Sequence, residues 1–265
     1  MSVLNRTKAI LDIKRGLKMY PLWSALAWQD TKQRYRRSTL GPFWITASTG
    51  IMVLAMGPLY GVLLGQNVTT YIQHLAVSLI IWTFISSSIN DAGNVFIGAE
   101  GYIKQISLPL TVHVLRLISK NLLMFAHNVV IILVVLLFIP PTNLSFLWSV
   151  PIGLALVSAN LAWLVLLLGM LSTRFRDIPQ LVTNIVQVAF FLSPIIWKAS
   201  MLSEKNRFLA ELNPLYHLLE IIRAPLLGDA SRAISWIVCL GLLIFGGGIT
   251  YLVFARLRAR VPYWL

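Results

Sequence analysis

Six stretches of about 20 residues, none carrying an ionised side chain, decide what this chain can fold into. They run from Ile45 to Leu64, Tyr71 to Ile89, Leu122 to Ile139, Trp148 to Leu171, Ile178 to Trp197 and Ala233 to Ala255, with an earlier start near Thr111 open for the third. An α-helix rises about 1.5 Å per residue, so each run matches a hydrocarbon core of roughly 30 Å. Composition agrees: 57% of the 265 residues are hydrophobic and 12% charged, with mean hydropathy +0.77. A soluble domain carries about 25% charged residues, so most of this surface faces lipid. The sequence predicts an all-α integral membrane protein with one domain, residues 1–265: an interfacial region 1–40, a six-helix bundle 41–255 and a tail 256–265.

Charge sets the orientation. Arg34, Arg36 and Arg37 stand just before the first run, and residues 1–40 hold nine Lys or Arg against Asp12 and Asp30. Six crossings put both termini on one side. With that side cytoplasmic, 17 of the 22 basic residues lie inside, and the short outer turns Gln66–Thr70 and Pro140–Leu147 have none. The positive-inside rule therefore predicts cytoplasmic termini. The net charge of +13 follows from basic residues beside apolar runs, which fits anionic headgroups and not nucleic acid. More than 40 residues precede the first run, so a retained N-terminus is expected and not a cleaved signal. Cys239 is the only cysteine and has no partner for an internal disulfide.

Before the first run, Leu17, Tyr20, Ala27, Trp28, Thr31 and Tyr35 share one face of a helix, and Lys18, Lys32, Gln33, Arg36 and Arg37 lie off it. Such a helix lies flat in the headgroup layer. Between runs five and six, Ser203 is placed to cap a helix through Leu212, and Asn213-Pro214 interrupts it. Leu215, Leu218, Leu219, Ile222 and Leu226 form a second apolar stripe, which Pro225 and Gly228 end. Short re-entrant helices and a cap resting on the bundle both satisfy this pattern. In the third run, His127 and Asn128 suit a hydrogen bond between helices, while Arg116 and Lys120 suit snorkelling to the inner surface.

The chain shows no chemistry for driving transport itself. Gly246-Gly247-Gly248 lacks the Lys-Ser or Lys-Thr of a phosphate loop, and fits close helix packing or a flexible point better. His74, His113, His127 and His217 have no zinc-ligand spacing. Asp91 and Glu100 are not a catalytic pair by sequence, which leaves them to solvent or a partner. The inner loop offers a place for an external motor: Glu100 and Lys104 suit a short helix by dipole and i,i+4 pairing, with Gly101 weakening it. Tyr102 and Ile103 then form apolar tips for a partner's groove, although a loop folded onto its own bundle fits equally.

The run from Asp30 through Gln33-Arg34-Tyr35-Arg36-Arg37 to Gly41-Pro42-Phe43-Trp44 resembles the first-span entry in membrane subunits of ATP-binding-cassette exporters for O-antigen, capsule and teichoic-acid polysaccharides. Arg174-Phe175-Arg176-Asp177-Ile178, Phe190-Phe191-Leu192-Ser193-Pro194-Ile195, Asn213-Pro214-Leu215, Arg223 to Gly228 and the terminal Tyr263-Trp264-Leu265 extend the resemblance over nearly the whole chain. It implies a six-helix permease of the bacterial inner membrane that pairs with a second copy of itself and with two cytoplasmic ATPases. It also implies a lipid-linked glycan as cargo, ATP and Mg bound by the partner, and no cofactor in this chain.

The resemblance casts Glu100, Gly101, Tyr102, Ile103 and Lys104, with Gln105, as the helix that receives the ATPase's motion, and Lys198 to Gly228 as outer re-entrant helices. Arg34, Arg36 and Arg37 sit at headgroup depth, where they can hold membrane lipid or a carrier's phosphates. Tyr60, Trp82, Phe190 and Phe191 are candidates to guide sugars, whose C–H faces stack on aromatic rings; buried aromatics also simply pack. Export of a drug or another lipid is an alternative reading. A membrane enzyme acting on lipid-linked sugars is a weaker one, because clustered carboxylates are not evident.

Overall fold

The computed structural model describes residues 3–34, 43–141 and 143–265. These residues are helical and without strands. Two N-terminal helices, α1 (Val3–Lys18) and α2 (Tyr20–Arg34), precede the bundle helices α3 (Phe43–Leu63) and α4 (Val68–Ala92). A short α5 (Glu100–Gln105) leads to α6 (Leu110–Phe138), α7 (Ser149–Arg174) and α8 (Ile178–Leu192). After α9 (Arg207–Glu211) and α10 (Pro214–Leu227) come α11 (Ala233–Leu257) and the terminal α12 (Val261–Trp264).

Five helices are long and apolar enough to cross a membrane: those at Thr46–Leu63, Val68–Ala92, Leu110–Phe138, Ser149–Arg174 and Ala233–Trp264. α8 has only 15 residues, about 22 Å by helical rise, because Ser193-Pro194 stops it. Together with the extended segment that follows it, α8 reaches from one end of α4 to the other. At one end Pro179 abuts Gly93, and at the other the extended segment after it brings the Ile196 carbonyl to the Tyr71 hydroxyl at 2.5 Å. α4 forms the centre, with Leu75 through Ile81 buried among α3, α6, α7, α8 and α10.

The N-terminal region is two helices broken at Met19, not one, and it packs on protein. Ala27 and Thr31 of the anticipated face are buried against α6, whereas Leu17, Tyr20 and Trp28 stay exposed. Asp12 is the anchor. Its carboxylate accepts hydrogen bonds from the Leu110 and Thr111 amides, both at 3.2 Å, from the Thr111 hydroxyl at 2.9 Å and from Arg258 Nε at 2.6 Å. The N-cap position of α6 is Pro109, which offers no side-chain cap, so a carboxylate from α1 supplies it and meets the positive end of the helix dipole. Gly16 lets the helices approach, since a Cβ there would lie 2.0 Å from the Thr111 hydroxyl.

These contacts gather both termini at one end of the bundle. The same end receives the loop 93–109 and the turn 175–177, where Arg176 donates to the Trp264 carbonyl at 3.3 Å. We call it the basic end, and the opposite one the far end.

Other interior features depart from the sequence expectations. Arg116 and Lys120 do not snorkel: Arg116 pairs with Asp30 at 2.5 Å and Lys120 with Asp91 at 2.8 Å. His127 does not bridge helices through its ring, which contacts the Leu123 carbonyl of its own helix, while Thr46 donates to the His127 carbonyl. Gly246 serves close packing, with the Trp163 ring 2.4 Å from where a Cβ would lie.

Asp12→Ala strands the Arg258 charge and the first amides of α6, so it should lower stability by about 2–4 kcal/mol. The check is the melting temperature of the detergent-solubilised protein, with Asp12→Asn falling between; an unchanged Asp12→Ala melt would mean the anchor carries no stability.

Candidate functional site

At the basic end, α5 begins on Glu100 and ends with Lys104 in its last turn, joined at 2.6 Å. The Lys104 ammonium, by this hydrogen bond and its charge, holds the Glu100 carboxyl below the usual carboxylate range. The pair is therefore intact at neutral pH and opens only as pH falls through that lowered value. Both side chains are exposed, so the pair adds little to stability. Ile103 turns inward and packs on the core, contrary to its expected role as a tip. The exposed apolar groups are Tyr102 and Ile106, with Gly101, Lys104 and Gln105 around them.

Arg116 ties this helix to the N-terminal region. Its Nε and Nη2 donate to the two Asp30 oxygens at 2.6 and 2.5 Å, and its guanidinium lies 5.8 Å from the centre of the Tyr102 ring. One side chain thus touches α2, α5 and α6. Behind α5 a cavity of about 230 Å³ is lined by Asp30, Asp91, Asn94, His113, Arg116 and Lys120. Asp91 pairs within it with Lys120 and, at 3.5 Å, contacts Asn121, while its side chain stays partly open to solvent.

Three of the four candidate path aromatics form a ladder. The Trp82 and Phe190 ring centres are 5.9 Å apart and those of Phe190 and Phe191 5.3 Å, passing from the buried core to an exposed ring. Tyr60 is not on it. It sits near the far end beside Tyr71, and Tyr71 is about 16 Å along α4 from Trp82 by helical rise. Arg36, Arg37 and the Arg34 side chain lie outside the described residues.

The feature that the sequence reading missed is on α8. Gln180, Thr183, Asn184 and Gln187 are all exposed, at i, i+3, i+4 and i+7, a polar stripe on a helix inside the bundle's height. Gln180 donates to Asn184 at 3.3 Å and Thr183 to the Pro179 carbonyl at 3.0 Å, which leaves part of their hydrogen-bonding capacity open. Their spacing was legible in the sequence, but within an uncharged run they passed as ordinary span residues.

Five long apolar helices and the α8 stripe describe a multi-pass membrane protein that keeps hydrogen-bonding groups on an outer face. Residues 21–227 match the ABC-2 type transporter family, and the chain belongs to it. Membership implies a membrane transport subunit served by a partner ATPase. The chain is 24% identical over 201 residues to the O-antigen export system permease protein RfbA of Klebsiella pneumoniae, covering 74% of this chain and 76% of that one. It is 23% identical over 223 residues to the protein of the same name from Myxococcus xanthus, covering 81% and 84%.

If Arg116 joins α2 to α5, then Arg116→Ala should speed amide exchange in both helices, by about tenfold for a loss of ~1.4 kcal/mol. Glu100→Ala should affect α5 alone. Hydrogen-exchange mass spectrometry of the two variants distinguishes these outcomes.

Proposed function

We propose that this chain is the permease subunit of an ATP-driven exporter that moves a lipid-linked polysaccharide, of O-antigen or capsule type, across the bacterial cytoplasmic membrane. The observation that carries the reading is the α8 stripe. A polar group left unsatisfied in hydrocarbon costs about 1–3 kcal/mol or more, so four in a row on an exposed face call for water, cargo or a second protein surface. A hydrated glycan chain, rich in hydroxyls, satisfies all of them. The names of the relatives point to the same cargo class.

In this mechanism two copies meet along the exposed faces of α3 and α8, and the glycan passes between them while its lipid anchor stays in the bilayer. The ladder Trp82, Phe190 and Phe191 borders that path and can stack on sugar faces; Tyr60 contributes nearer its exit. The basic end is cytoplasmic by the positive-inside rule. Two ATPases, which hold the ATP and Mg, dock on α5 through Tyr102 and Ile106, framed by Glu100, Gly101 and Lys104. Arg116 passes their motion to α2, and Arg34, Arg36 and Arg37 hold the carrier's phosphates at the entrance. The segment from Lys198 to Gly228 forms the exit side, its α10 inserted as a re-entrant helix among α4, α7 and α11.

Replacing Gln180, Asn184 and Gln187 together by Leu should preserve membrane insertion and lower surface polysaccharide at least about tenfold, measured by immunoblot of whole cells. Normal polysaccharide with lost resistance to a drug would transfer the chain to the alternative reading. Lys104→Cys should react with an impermeant maleimide only in inverted vesicles; labelling in intact spheroplasts would reverse the orientation.

A further inference from the structure

The far end holds a cavity of about 390 Å³ between α4, α10 and the segment after α8. Four cations line it, Lys198, Arg207, Arg223 and Arg232, against two carboxylates, Glu220 and Asp229. Two of the cations are already engaged. Arg223 is buried and bonds to Glu220, to the Pro194 carbonyl and to Ser78, and Arg232 pairs with Glu211 outside the lining. Lys198 and Arg207 form no ion pair among the described residues.

Lys198 is half withdrawn from water, and that burial, with no carboxylate to offset it, pushes its ammonium below the usual lysine range. The floor of the cavity includes His74, which is 7% exposed and whose ring bonds to the Trp197 backbone. His74 lies six residues into α4, about 9 Å below its far end.

An excess of cations, one of them desolvated and uncompensated, needs an oxyanion. The cavity is larger than an inorganic ion requires. We propose that it is a binding site for a phosphate ester, held by Lys198 and Arg207, with the guanidinium of Arg223 as a fixed polar wall. A lipid headgroup and a phosphorylated sugar share this chemistry. The site is separate from the α8 stripe and does not depend on what the chain exports.

The test uses the full chain in phosphate-free maltoside micelles. Acylation of Lys198 by an amine-reactive ester is followed by peptide mass spectrometry, with the exposed Lys205 as internal reference. Glucose 1-phosphate should slow modification of Lys198 about tenfold at saturation, and Arg207→Gln, at an exposed position, should raise the concentration required about tenfold. Glucose should do nothing. Protection by glucose 1-phosphate identifies a sugar-phosphate ligand, and protection only by added phosphatidylglycerol identifies a headgroup; either supports the site. Protection by neither, or equal protection by glucose or glucuronate, overturns it.

Discussion

Asp12 joins three parts of the chain that are far apart in sequence. Its carboxylate receives the first amides of α6, a hydroxyl from the same turn and the guanidinium of Arg258. A helix start left bare near the membrane surface costs free energy for every unpaired amide, and a buried carboxylate costs more unless it is paired. Placing the two together cancels both costs. The N-terminal helices, the third crossing and the C-terminal tail thereby share one end of the bundle, and all later assignments of sidedness rest on that.

Carboxylates are scarce here, nine against 22 basic residues, and most serve as pins. Asp12, Asp30 and Asp91 each hold a cation at the basic end, while Glu211 and Glu220 do so at the far end. Between these polar layers the bundle is held by apolar packing around α4. At the basic end Arg116 joins α5 to α2, since Tyr102 and Asp30 both contact it.

Much of this was legible from pattern. Each of the six apolar runs carries a helix, five of them long enough to cross a membrane, Glu100 and Lys104 formed the expected pair, and Asn213-Pro214 and Gly228 bound α10, with Asn213 accepting from the Leu215 amide. Other features resisted for physical reasons. Ile103 and Tyr102 are adjacent in sequence, yet a helix points them 100° apart, so only one can be the tip. Asp12 looked like a lone countercharge because its partners Thr111 and Arg258 are 99 and 246 residues away. The stripe on α8 was hidden because Gln, Thr and Asn are uncharged and hardly interrupt an apolar run.

The sequence by itself determined that the chain is helical and lives in a membrane, since runs of that length and apolarity have no other stable home, and its basic residues predicted which end faces the cytoplasm. Only the tertiary structure decided which polar residues pair inside the protein and which stand open. Pairing depends on the meeting of side chains from distant helices. Arg116 looks more out of place in the sequence than Gln187, yet the first finds Asp30 across a helix boundary and the second stands exposed on α8.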